Sequence, residues 1–283
     1  MAIDPEKLRN WKFEEVRHNY VERDAILYAL GLGLGRDPLN AKELNYVYEK
    51  DLVVLPTFAV TLATLGLWVK DPATSITLGG LVHGAQSAAF HAPLPPQASI
   101  VGKARISQVY DRGAEKGAVI IVERSIHDAH SDLRYCTLEQ TLMLRADGGF
   151  GGDPLPANEL SIPLTPHDKA VEYQTTEGQA ILYRLSGDWN PLHVDPDVAQ
   201  RAGFPKPILH GYCSYGIAGW AASLASDLPP SLLKTLQCQF TGPVIPGDQL
   251  TFEFWRLGAD KWLFHARSNS KIVLAKGCAT FKV

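Results

Sequence analysis

"ILHGYCSYGIAGWAASLAS", residues 208–226, decides how the rest of the chain is read. From Tyr212 to Ser226 it is apolar or small on nearly every helical face and carries no charged side chain. A helix without a polar stripe has to be enclosed, and a wrapped sheet is the natural enclosure. Half a chain earlier, "LVHGAQSAAF" (81–90) repeats the pattern of aliphatics, His-Gly and a small-residue run. The echo predicts a second buried helix over "AQSAAFHA" (85–92). A Gly-containing turn is expected after each, "SIVGKA" (99–104) and "VIPGDQ" (244–249).

Strand-like segments follow in both halves. They are 103–111, 117–128 and 136–146, then 248–258, 262–270 and 272–283. Their apolar residues alternate and are rich in β-branched and aromatic types, as in half-buried antiparallel strands. One helix embraced by antiparallel strands, in duplicate, is an α+β architecture. Between the halves, "GGFGGDPLPANELSIPLTP" (148–166) is rich in Gly and Pro and reads as a linker. It leaves domains at 1–147 and 167–283, sizes that fit a chain of 283 residues.

With 46% hydrophobic and 20% charged residues, the chain is globular in composition. A net charge of −3 leaves no polybasic footprint for nucleic acid. Cys136, Cys213, Cys238 and Cys278 form no C-x-x-C pair, which predicts reduced thiols rather than a zinc knuckle. The first twenty residues are too charged for a secretory signal, and no run of 18 apolar residues predicts a membrane span. The last residues, "TFKV", are not a peroxisomal S-K-L tripeptide.

The polar chemistry concentrates in "SGDWNPLHVDP" (186–196). Pro191 and Pro196 prevent a regular helix there, so Asp188 and His193 can point into one cavity. An acid and a base sharing one water are the minimum equipment for adding water to a double bond. Asn190 can orient one of them. Asp195 is expected to cap a helix with Pro196 at its first position. If Gly211 opens the buried helix, its N–H lacks an intrahelical partner and sits at the positive end of the dipole, suited to a developing oxyanion.

Other readings of the same residues stand beside this one. Asp188 can cap a turn, a lone histidine such as His193 is often structural, and His210 reads as an anchor for the turn before the helix. A metal site from Asp188, His193 and Asp195 matches no tight ligand signature. No G-x-S-x-G elbow is present, and "GLGLGRDP" (31–38) lacks the strand and helix of a dinucleotide fingerprint.

Residues 183–216, "YRLSGDWNPLHVDPDVAQRAGFPKPILHGYCSYG", resemble the motif of the MaoC-like, R-specific enoyl-CoA hydratase 2 family. "LYALGLGLGRDP" (27–38), "YVYEKDLVVLPTF" (46–58), "GGLVHGAQ" (79–86) and "CQFTGPVIPGDQL" (238–250) extend it over nearly the whole chain, in the manner of the hydratase 2 unit of peroxisomal multifunctional enzyme type 2. The resemblance implies a double hot-dog fold. It implies a catalytic C-terminal half and an N-terminal half that accommodates an acyl chain. By carry-over, Asp188 and His193 hold the catalytic water, Asn190 supports them, and the Gly211 N–H polarises a thioester carbonyl. His83, Arg112 and Phe240 fall at positions that line the substrate or CoA channel in the family, with Lys206 a weaker candidate.

The implied reaction is reversible syn hydration of a trans-2-enoyl-CoA to a (3R)-3-hydroxyacyl-CoA, with either Asp188 or His193 as the base. No metal or redox cofactor is called for, CoA being part of the substrate. A homodimer is expected from the family, and the missing peroxisomal tail suggests a cytoplasmic enzyme. The rivals are a hot-dog acyl-CoA thioesterase and a non-catalytic acyl-CoA-binding subunit of a heteromeric hydratase.

Overall fold

The computed structural model describes residues 3–157 and 159–283. The first half runs α1 (Pro5–Arg9), β1 (Val16–Tyr20), α2 (Glu22–Leu32), α3 (Ala41–Val47), β2 (Leu81–Phe90), β3 (Ala98–Asp111), β4 (Ala118–Asp128) and β5 (Arg134–Leu144). The second runs β6 (Lys169–Gln174), α4 (Gln179–Tyr183), α5 (Pro196–Arg201), α6 (Gly211–Ser226), β7 (Leu233–Phe240), β8 (Gln249–Arg256), β9 (Lys261–Ser268) and β10 (Lys271–Phe281). All ten strands form one antiparallel sheet in the order β1-β3-β4-β5-β2-β7-β10-β9-β8-β6. Read outward from the β2–β7 seam, the two halves have the same topology. This is the double hot-dog expected.

The buried helix is where the sequence places it. α6 begins at Gly211, and twelve of its sixteen residues are buried. Its two interior glycines allow close neighbours. A Cβ on Gly216 would lie 2.5 Å from the Tyr28 hydroxyl of α2, and one on Gly219 would lie 2.8 Å from Thr57. Apolar side chains of α6, α2 and the inner sheet face, among them Tyr215, Ile217, Phe252 and Phe264, form the main core.

Two expectations of the first half are corrected. "AQSAAFHA" is not a helix: residues 85–90 belong to β2, paired with β5 on one side and β7 on the other. Its small residues carry the central seam, where Gln86, Ala88 and Phe90 are buried and Ser87 and Ala89 less so. That period of two, with ladder partners on both edges, overrides the helix preference of alanine. "SIVGKA" is likewise not a turn but part of β3. Gly102 serves close packing there, since a Cβ would come within 2.6 Å of the Ala63 methyl. The second expected turn is present, with Gly247 at φ +98°.

Consequently the topological counterpart of α6 in the first half is not a long helix. A 3-10 turn (Pro56–Thr61) and largely irregular chain up to β2 occupy that place. Residues 148–166 contain no helix and no extended strand among those described. They are nevertheless pinned: Gly149 and Gly151 N–H donate to the Asp111 carboxylate, and Leu160 and Ile162 pack on Trp255. No helix is long and apolar enough to cross a membrane among the described residues.

Candidate active site

The polar loop is built by local turn chemistry. After α4, a 3-10 turn (Arg184–Ser186) ends at Gly187, whose φ of +112° reverses the chain into Asp188. The Asn190 side-chain oxygen accepts from the Leu192 N–H at 3.1 Å, and Pro191 opens a second 3-10 turn that ends on His193. Asn190 thus caps the turn that carries His193. Asp195 caps α5 by accepting from Asp197 and Val198 N–H, with Pro196 first in the helix, as expected.

His193 is buried, and its Nδ1–H donates to the Ile208 carbonyl at 2.8 Å. That bond leaves Nε2 as the acceptor. Burial is the main influence on its pKa and lowers it, against the Ile208 bond and the Asp188 charge, so the imidazole is neutral. His210 is fully buried behind it. The two rings stack at 3.7 Å, and His210 Nε2–H donates to the Asp188 backbone carbonyl at 3.2 Å. Burial, then the neighbouring His193, pushes the His210 pKa down to about 4. His210 therefore anchors the turn, as expected, and it also backs His193.

One carboxylate oxygen of Asp188 and one ring nitrogen each of His193 and His210 lie within 4.8 Å of one another. The spacing alone would admit a metal ion, but the ring geometry argues otherwise. The rings are inclined by only 28° and stacked, so their in-plane lone pairs run side by side. They do not converge at the bond length of about 2.1 Å that a histidine-bound metal needs.

Beside this pair, α6 presents its N-terminus. The Gly211 and Tyr212 amides find no hydrogen-bond partner among the described residues. A Cβ at Gly211 would make ordinary contact, 3.5 Å, with the Phe240 ring at the end of β7. His83, at a bulge in β2, packs edge-on against Tyr212 at 5.0 Å and Phe240 at 4.8 Å. Burial pushes its pKa down to about 4, against the Ala85 carbonyl bond, the Gln86 side chain and the Asp188 charge. His83, Phe240, Gly211 and Asp188 thus come together from four separate segments.

A cavity of about 540 Å³ opens onto the site. Asp188, Asn190 and Tyr212 line it from the second half, and from the first Val60 and Thr61, which end the 3-10 turn, with Thr64 in the irregular chain after it. His193, Gly211, His83 and Phe240 stand behind these residues without lining the cavity, and Arg112 and Lys206 are not among its lining residues either. Arg112 lies in the β3–β4 turn, its N–H bonded to the Gly117 carbonyl, and Lys206 is exposed in the loop before α6. Sequence reasoning missed Tyr183, Trp189 and Tyr212, although all three stand within or beside the quoted motif. It also missed residues 60–70, whose composition carries no signal of a site.

Residues 160–273 match the MaoC like domain, and residues 18–146 match the MFE-2 hydratase 2 N-terminal domain. The chain is 37% identical to the peroxisomal enoyl-CoA hydratase 2 of Arabidopsis thaliana over 87% of its length and 85% of the relative's. It is 35% identical to 3-hydroxyacyl-thioester dehydratase Y of Mycobacterium tuberculosis over 99% of both. The structure superposes on a MaoC-like dehydratase of Phytophthora capsici with a TM-score of 0.87, at 26% identity, covering 99% of this chain and 98% of that one. The chain therefore belongs to the MaoC-like, hydratase 2 family of hydro-lyases.

Proposed function

We propose that the protein catalyses the reversible, R-specific syn hydration of trans-2-enoyl-CoA thioesters, in the β-oxidation of fatty acyl or steroid side chains. The observation that carries this reading is that Asp188, which lines the cavity, has a ring nitrogen of the buried His193 within 4.8 Å, next to the α6 amides that find no partner among the described residues. With the thioester carbonyl oxygen at the Gly211 N–H, the α and β carbons face the pair. His193 Nε2 takes a proton from the water whose oxygen bonds to C3. Asp188 delivers a proton to C2 on the same face. The enolate-like charge is held meanwhile by Gly211 and the helix dipole. A proton then passes from His193 to Asp188, so the net change is one water added.

The acyl chain is assigned to the first half, where the helix equivalent to α6 is missing and Val60, Thr61 and Thr64 line the cavity. His83 and Phe240 then pack against the thioester end. Arg112 and Lys206, outside the cavity lining, are left for the distal part of CoA. Four buried, unpaired thiols fit a reducing compartment such as the cytoplasm, and a homodimer completes the family-derived reading, to be checked by sedimentation.

The test is to follow loss of enoyl absorbance with crotonyl-CoA and trans-2-decenoyl-CoA while titrating free thiol and determining product configuration. Hydration to the 3R product without thiol release is expected. Thiol release would identify a thioesterase. Turnover only after a second polypeptide is added would identify a binding subunit.

A further inference from the structure

Arg124, in β4, is 8% exposed. Its Nη2 donates to the Val60 carbonyl at 2.9 Å and its Nη1 reaches the Ala63 carbonyl at 3.4 Å. Its Nε has no partner among the described residues. No carboxylate among them is ion-paired with it; burial is the main influence on its charge and disfavours it, against smaller contributions from Tyr212 and Cys136. A guanidinium buried without a counter-ion is costly, and an apolar side chain of similar length would serve packing better.

The two carbonyls indicate a purpose for the charge. Val60 lines the cavity, and Ala63 ends the same short stretch in a left-handed conformation, φ +45°, that a residue with a Cβ enters at a cost. Ala63 is also held by its N–H, which donates to His18 Nδ1 at 2.9 Å, and Gly102 leaves room for its methyl. Arg124, His18 and Gly102 therefore hold the wall facing Asp188 and Tyr212 from the side away from the cavity.

We propose that Arg124 is a positioning residue that fixes the wall formed by residues 60–64 and thereby sets the acyl-chain-length selectivity of the enzyme. This rests on the hydratase reading, in which that wall receives the acyl chain. A short crotonyl group reacts at the Asp188–His193 pair without reaching the wall, whereas a ten-carbon chain lies against it. Without Arg124 the Val60 and Ala63 carbonyls lose their donor and the strained turn relaxes into the chain's path.

The experiment compares kcat/KM for crotonyl-CoA and trans-2-decenoyl-CoA in wild type, Arg124→Met and Arg124→Lys. The ratio of the two values does not depend on how much of a variant is folded. Arg124→Met is expected to lower the decenoyl-to-crotonyl ratio roughly tenfold or more, mainly through KM for the longer substrate. Arg124→Lys, which keeps a donor and the charge, is expected to recover part of it. A wild-type ratio in both variants would overturn the proposal. If wild type hydrated neither thioester, the hydratase reading would fall first and this one with it.

Discussion

Gly211→Pro isolates the oxyanion role of one backbone N–H. Proline is tolerated at the first helical position, where its missing N–H breaks no intrahelical bond. It also constrains the preceding residue to extended conformations, and His210 already has φ −60° and ψ 137°. Gly211→Ala is the control: it keeps the N–H, and its methyl would make ordinary contact with Phe240 at 3.5 Å. Loss of one oxyanion donor costs about 2.7–4 kcal/mol, which corresponds to a fall in kcat of roughly 100- to 1,000-fold. Initial rates with crotonyl-CoA, together with thermal melts, read the effect. Gly211→Pro should melt near wild type and lose this factor, while Gly211→Ala should stay within about tenfold of wild type. Equal losses in the two variants would show a steric effect, and a wild-type kcat for Gly211→Pro would refute the role of the amide.

Two further outcomes follow from burial and packing. His83 and His210 are neutral in the fold with pKa values near 4, below the ordinary value of 6.5. The unfolded chain therefore binds more protons between those values; stability is full above about pH 6.5 and declines as the pH falls towards 4. Melting temperatures that stay flat or rise over that window would contradict the assignment. Gly216→Ala would place a Cβ 2.5 Å from the Tyr28 hydroxyl and 2.6 Å from Leu32, where α6 meets α2. Overpacking of that kind costs about 1–3 kcal/mol, so the melting temperature should drop by several degrees; an unchanged melt would show that α2 yields freely.

What was legible in the sequence was chemistry fixed by short-range rules. The turn around Asp188 follows from Gly187 and Pro191, the start of α5 from Asp195 and Pro196, and α6 from a run with no polar face. The long strands with β-branched alternation were legible for the same reason. β2 was not, because Ala and Ser give no strand signal alone and its conformation is imposed by β5 and β7 on its two edges. The polar strands β1 and β6 occupy the sheet's edges and bury little, so their patterns are weak. The wall at residues 60–64 could not be read at all. Its shape depends on backbone carbonyls held by an arginine some sixty positions away.

The most direct measurement of the central claim is the rate of crotonyl-CoA hydration by Asp188→Asn and His193→Gln beside wild type. Asparagine retains an oxygen to accept from the Asn190 N–H, now 3.2 Å from the Asp188 carboxylate, so the loop should keep its shape. Each variant removes one proton-transfer group and should lower kcat by roughly 100-fold or more with little change in KM. Hydration at the wild-type rate in both variants would contradict the assignment of Asp188 and His193 as the acid–base pair.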